Sequence, residues 1–199
     1  TSGARNLAIG YQAMDSLTTG VDNIAIGYDT LSTATTNISQ NIAIGNYALN
    51  SFTAGETVTD NIAIGYGAGT AILTGDHNVM VGSDSGDALT SGSANTVVGV
   101  GTLSTATTAT LNVAIGRDAM GDVKAGVVVD SCVAVGHSAL KGNSSNTTAI
   151  NGSTAVGYRA LMAVTTGNAN TGIGQDAGVS LTTGGYNAIV GATAGDALT

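Results

Sequence analysis

The sequence predicts an all-β protein, a β-solenoid of eleven stacked coils. Three observations carry this. One phrase (Asn, an apolar residue, Ala, Ile or Val, then Gly) recurs along the whole chain, ending at Gly10, Gly27, Gly45, Gly65, Gly82, Gly99, Gly116, Gly136, Gly157, Gly174 and Gly191. These glycines are 17, 18, 20, 17, 17, 17, 20, 21, 17 and 17 residues apart, and so regular a period marks one structural unit stacked on itself. Proline is absent, and aromatic and charged residues make up only 4% and 9% of the chain. That composition suits tightly stacked coils better than a globular core of large side chains. Residues 1–199 read as one continuous array with no linker.

Each coil is numbered here from its glycine at position zero. Position −1 is Ile or Val throughout: Ile9, Ile26, Ile44, Ile64, Val81, Val98, Ile115, Val135, Val156, Ile173 and Val190. β-branched residues suit a strand. Position −3 is mostly apolar or Thr, and alternation along a strand puts −3 and −1 on one face. That face is expected to point inward as the coil core. Position −2 then points outward: Ala8, Ala25, Ala43, Ala63, Ala114, Ala134 and Ala155, with Met80, Val97, Gly172 and Ile189 in the other coils. A solvated strand face carries polar residues, and this row has none. It is therefore expected to be an oligomer interface, with small Ala letting copies approach closely.

Beyond the glycine, position +3 is small, and +4 is Leu or Met in seven coils and Gly in four: Gly69, Gly86, Gly178 and Gly195. Position +7 is apolar in all coils but one, where Asn143 stands. Position +8 is Thr18, Thr35, Thr53, Thr90, Thr107, Thr165, Thr182 and Thr199 in eight coils. Position +10 is Gly or Asn in nine of ten complete coils, Ala109 being the exception. Both residues accept positive φ, which predicts a tight turn. The glycine at zero is the other corner. Two corners and two strand-like legs make a flattened coil, a β-roll. The extra residues of longer coils are placed between +10 and the next strand, around residues 56–60 and 143–150. A rise of about 4.8 Å per coil gives a rod roughly 50 Å long. The chain stops at Leu198 and Thr199, inside an unfinished coil, and joining end to start would give a spacing of 18. This predicts a segment of a longer fibre, or a unit that stacks end to end.

Charge and chemistry narrow the function. The net charge is −8, and the basic residues Arg5, Arg117, Lys124, Lys141 and Arg159 are scattered. They make no phosphate-tracking patch, so neither nucleic acid nor an anionic membrane surface is expected as a partner. No run approaches the 18 apolar residues of a membrane span, and no leader opens the chain. Cys132 stands alone where the repeat has Asn and reads as a small buried residue. His77 and His137 lie several coils apart and read as surface residues, with no nucleophile spaced to assemble with either. Asp84 and Asp87 are close in sequence, but a stacked coil predicts no cleft around them. Asp at +2 (Asp29, Asp84, Asp118 and Asp176) never occurs in adjacent coils and lacks the glycine-rich calcium pattern. No enzyme activity, metal or cofactor is expected. Tyr11, Tyr28, Tyr66 and Tyr158 at +1 either cover the turn or stack on a glycan. The Thr of +8, extended by Thr19, Thr36, Thr108, Thr166 and Thr183, makes either a hydroxyl ladder or an ice-matching row, which Leu73, Lys124 and Ser144 interrupt.

The phrases Asn23-Ile-Ala-Ile-Gly-Tyr28, Asn61-Ile-Ala-Ile-Gly-Tyr66 and Thr154-Ala-Val-Gly-Tyr-Arg-Ala-Leu161 resemble two related kinds of repeat. One builds the heads of trimeric autotransporter (YadA-like) adhesins. The other is a bacteriophage tail-fibre repeat of the Ala-Val-Gly-Tyr-x-Ala-Leu type, which the 17-residue period and the Tyr at +1 fit better. The resemblance covers essentially the whole chain. It implies a homotrimer of parallel, left-handed β-rolls. The implied function is a shaft or head segment of a tail fibre or surface adhesin. Such a segment is extracellular, presents an attachment site rigidly, and has its own copies and a cell-surface glycan or receptor as partners. The alternatives are a self-assembling extracellular filament and a solenoid that binds ice or glycan.

Overall fold

The computed structural model describes residues 3–34, 37–52, 55–143 and 150–198. The protein is an all-β solenoid of about ten turns. Each coil supplies one three-residue strand, from Leu7–Ile9 in the first to Ala188–Val190 in the eleventh. These strands form one eleven-stranded parallel sheet in coil order. Register follows the repeat: Ala25 pairs with Ala43, Ala43 with Ala63, and Ala114 with Ala134. Equivalent positions therefore stack in rows along the solenoid.

The leg after each corner is not a strand. It is a run of turns in which +2 and +4 carry positive φ, as at Asp29 (49°) and Leu31 (51°), or Arg159 (52°) and Leu161 (50°). For a non-glycine residue this costs about 1–2 kcal/mol. It is held by hydrogen bonds between coils. The N–H of Asp29 donates back to the Tyr11 carbonyl at 3.0 Å, and that of Leu31 donates forward to the Ala48 carbonyl at 3.2 Å. A second strand-like leg exists locally, just before the Asn of the next coil. There Ile38–Ser39 pairs with Val58–Thr59, and isolated bridges join Ala4 to Val21 and Thr110 to Asp130.

The strand faces are the reverse of the expectation. Ala25, Ala43, Ala63, Ala114, Ala134 and Ala155 at −2 are fully buried inside the coil, as are Met80 and Val97. Ala8 is exposed in the first coil. The outward residues are those at −1 and −3. Ile9 is 53% exposed, Ile64 37% and Val190 69%, and Ile26, Ile44, Val81, Val98, Val135 and Val156 are half-buried in the open face of the sheet. The alanines are not the oligomer interface, and the Ile/Val row is not the coil core. The reason is the narrowness of the coil. Its interior already holds the +4 residues Leu31, Leu49, Leu103, Met120, Leu140 and Leu161 and the +7 residues Phe52, Ile72, Leu89 and Leu181. Only a small side chain fits opposite them. Where the +4 residue is Gly, a neighbouring side chain fills the gap. A Cβ on Gly69 would lie 2.7 Å from Met80 Cε, and one on Gly178 2.8 Å from Ile189 Cδ1.

The corner at zero is glycine for two reasons. Its φ lies between 125° and 147°, and a Cβ there would strike the backbone of the next corner, as at Gly116, whose Cβ would lie 2.6 Å from the Gly136 carbonyl oxygen. Position +10 divides by coil length. Asn37, Gly55 and Gly126, in longer coils, have the expected positive φ (57°, 89° and 79°). Gly20, Gly75, Gly92, Gly167 and Gly184, in 17-residue coils, do not. At Gly20, Gly75, Gly92 and Gly167 a Cβ would collide with a backbone carbonyl of the next coil, Ile38 O at 2.6 Å from Gly20, and at Gly184 it would meet Asn187 Nδ2 at 2.9 Å. The longer coils place Ile38, Val58, Val129 and Ile150, all buried, at the equivalent point, three residues before position −4.

A buried asparagine row at −4 ties the two legs together. From Asn23 to Asn112 each Nδ2 bridges the Oδ1 of the preceding Asn and a carbonyl across the coil, as when Asn95 donates to Asn78 Oδ1 at 2.9 Å and to the Ala109 carbonyl at 2.8 Å. Cys132 and Ser153 interrupt the row. Cys132 Sγ donates to the Ile150 carbonyl at 3.1 Å, and Ser153 Oγ accepts the N–H of Asn170 at 3.2 Å.

Candidate functional site

One surface feature is the outer face of the sheet. Parallel pairing carries the side chains of −3 and −1 outward from every coil, making two rows of eleven residues. None is charged, and Thr96, Thr154 and Thr171 are the only polar ones. Such a face has no catalytic chemistry. It is a flat apolar surface of the kind that marks an association site.

A second feature runs beside the corner. Tyr11 stacks on Tyr28 with centroids 5.4 Å apart, Tyr28 meets Tyr47 edge-on at 5.5 Å, and Tyr47 meets Tyr66 edge-on at 5.7 Å. Tyr47 sits at +2, so the positional reading missed it. The signal was the exchange of Asn and Tyr at 46 and 47, with Asn46 Oδ1 accepting the N–H of Tyr28 at 3.0 Å. Tyr158 stands apart from this row. It stacks on His137 at 5.5 Å, and the Arg159 guanidinium lies 5.1 Å from its ring centre.

The tyrosine row ends at Tyr66, because the next coil carries Ser83 at +1. Beside that end lies a depression of about 280 Å³ lined by Tyr47, Tyr66, Gly67, Thr70, Asp84 and Asp87. The expectation of no cleft at the two aspartates is thereby corrected. Gly67 opens the floor, since a Cβ there would lie 2.6 Å from Asp84 Oδ1. Asp87 Oδ1 is buried without a hydrogen-bond partner. Burial, and then the neighbouring Asp84 charge, push the Asp87 carboxyl up to about 6.

Some of the other acids are neutralised along the stack. Arg5 pairs with Asp22 at 2.6 Å, Arg159 with Asp176 at 2.6 Å and Lys141 with Asp122 at 3.2 Å. Hydrogen bonding to the guanidinium holds the Asp22 and Asp176 carboxyls below the usual aspartate range. His77 and His137 are exposed, His77 beside Asp60 and His137 beside Asp118. Asp29 is half-buried. Burial pushes the Cys132 thiol up to about 11, so it carries no thiolate at neutral pH. Among the described residues, no three His, Cys, Asp or Glu side chains gather as a metal site. The Thr hydroxyls serve the stack: Thr90 donates to the Thr107 carbonyl at 2.9 Å and Thr165 to that of Thr182 at 3.0 Å. Thr35, Thr36, Thr53, Ser144 and Thr199 lie outside the described residues. Among the described residues no helix is long and apolar enough to cross a membrane. Comparison with family models, curated proteins and solved structures gives no match.

Proposed function

We propose that this chain is a structural segment of an extracellular fibre, of the tail-fibre or trimeric-adhesin kind, whose outer Ile/Val face packs against identical chains. The observation that carries this reading is the uncharged face of two rows, eleven residues each. Stable protein interfaces use about 20–30 residues a side, so the face is large enough to be covered by identical chains. The partner is the one expected from the sequence, on the opposite face of the strand. Each coil is bonded to the next through the sheet, the asparagine row and the turn leg. That continuity suits a stiff rod which holds an attachment site away from a surface.

Analytical ultracentrifugation of the 199-residue chain tests this. The expected result is a trimer, and the double variant Ile44→Asp/Ile64→Asp should be monomeric with its β circular dichroism retained. A wild-type chain that stays monomeric at micromolar concentration would overturn the reading.

A further inference from the structure

We propose that the depression at the end of the tyrosine row is a binding site for an amino sugar, a pyranose carrying a free ammonium group. Three independent features converge there. The row Tyr11–Tyr28–Tyr47–Tyr66 stops where the fifth coil substitutes Ser83. The last ring is 57% exposed. An exposed aromatic ring with no further ring beyond it offers the apolar platform on which the C–H face of a pyranose packs.

The second feature is charge. Arg5, Arg117, Lys141 and Arg159 each lie within ion-pair distance of an aspartate. Among the described residues Asp84 and Asp87 have no salt-bridge partner, as Asp29 and Asp76 have none, but these two come together in the lining of one depression. An ammonium group supplies the missing charge and donates to both carboxylates, while the tyrosine rings add cation–π attraction. Burial and the neighbouring Asp84 charge raise the proton affinity of Asp87, as expected of a carboxylate short of positive charge.

The third feature is size and position. At about 280 Å³ the space suits one sugar ring. Gly67 at +2 removes the side chain that would fill it, and the Thr70 hydroxyl stands on its wall. This site uses the corner residues, so it does not depend on the sheet face being an interface.

The test is a two-dimensional NMR titration of the full chain, in whichever assembly it adopts, with glucosamine, glucose, N-acetylglucosamine and calcium chloride as separate probes. Glucosamine should bind saturably, with a Kd of about 1–10 mM and shifts centred on Tyr66, Thr70, Asp84 and Asp87. Binding should weaken at least about tenfold in Asp84→Asn, Asp87→Asn and Tyr66→Ala, and be unchanged in Tyr186→Ala, a similar loss of an exposed ring remote from the site. Equal binding of glucose or N-acetylglucosamine would overturn the role of the ammonium. Saturable calcium binding that displaces glucosamine would make this a metal site instead. Glucosamine shifts that are absent, or that survive in all three variants, would also overturn the proposal.

Discussion

Oδ1 of Asn61 accepts two hydrogen bonds from Asn78, one from its backbone N–H and one from its side-chain amide, each 3.0 Å long. Asn78 repeats the arrangement with Asn95, at 3.1 and 2.9 Å. The same amide also reaches the Gly92 carbonyl at 2.9 Å. In Asn78→Ala the Gly92 carbonyl and the Asn95 N–H lose these partners inside the coil. Each loss costs about 1–3 kcal/mol, so urea unfolding should show about 3 kcal/mol less stability. Asn168→Ala, at an exposed position, should change it by less than about 0.5 kcal/mol.

The inward and outward residues of the strand can be separated by one charge. Ala63 is fully buried and its neighbour Ile64 is 37% exposed. Ala63→Asp places a carboxylate in a dry coil, which costs several kcal/mol unless it is neutralised. The chain should lose β circular dichroism or unfold at much lower temperature. Ile64→Asp puts the charge on the open face and should leave the isolated chain folded. Folded Ala63→Asp together with unfolded Ile64→Asp would restore the face assignment made from the sequence.

The period, the corner glycines and the strand at −3 to −1 were all legible in the sequence, because each leaves a mark in every coil. The direction of the strand was not. Alternation says which residues share a face but not which face is inside, and Ile looks more like core than Ala. The deciding clue was size compensation between distant positions. Met80 at −2 lies against Gly69 and Gly86 at +4, and Ile189 lies against Gly178 and Gly195. Had −2 pointed outward, +4 would have no reason to shrink around Met80 and Ile189. The asparagine row also went unread as a structural device, since its partners lie a full coil away. The depression at Asp84 and Asp87 was hidden for the same reason. It depends on Tyr66 and Gly67 in the preceding coil.

The same compensation gives a repacking prediction. Met80→Ala should cost about 3 kcal/mol by leaving a cavity. Gly69→Leu alone should also destabilise, because Met80 Cε already occupies its place. The double variant recreates the Leu/Ala pairing of other coils, and Leu accepts the φ required, as Leu49 does at 48°. Denaturant titration should find it more stable than either single variant, with a coupling of at least about 1 kcal/mol.

Two glycines with positive φ should respond differently to alanine. At Gly152 φ is 67° and nothing lies within 4 Å of a new Cβ, so Gly152→Ala should cost only the left-handed penalty of about 1–2 kcal/mol. At Gly116 φ is 125°, and the Cβ would lie 2.6 Å from the backbone carbonyl oxygen of Gly136. That atom belongs to the next coil and cannot rotate away. Gly116→Ala should lose more than about 3 kcal/mol or fail to fold, read as thermal midpoint or soluble yield.

Asp87 sets a pH dependence of unusual sign. Its carboxyl lies at about 6 in the folded chain against an ordinary 3.8, so the folded state holds this proton more tightly than the unfolded one. The stabilising contribution is complete below about pH 4 and is lost as the pH rises through about 6. With partial exposure screening the charge, the loss is on the order of 1–2 kcal/mol. Asp22 and Asp176 act in the opposite direction. Their carboxyls are lowered by Arg5 and Arg159, so their stabilisation is present above the ordinary aspartate range and is lost as the pH falls through their folded values. Asp87→Asn removes only the first effect. Urea midpoints measured from pH 4 to pH 8 should fall in the wild type relative to Asp87→Asn, the gap opening between about pH 4 and 6 and staying constant above. A gap of the same size at every pH would show that Asp87 does not titrate with folding.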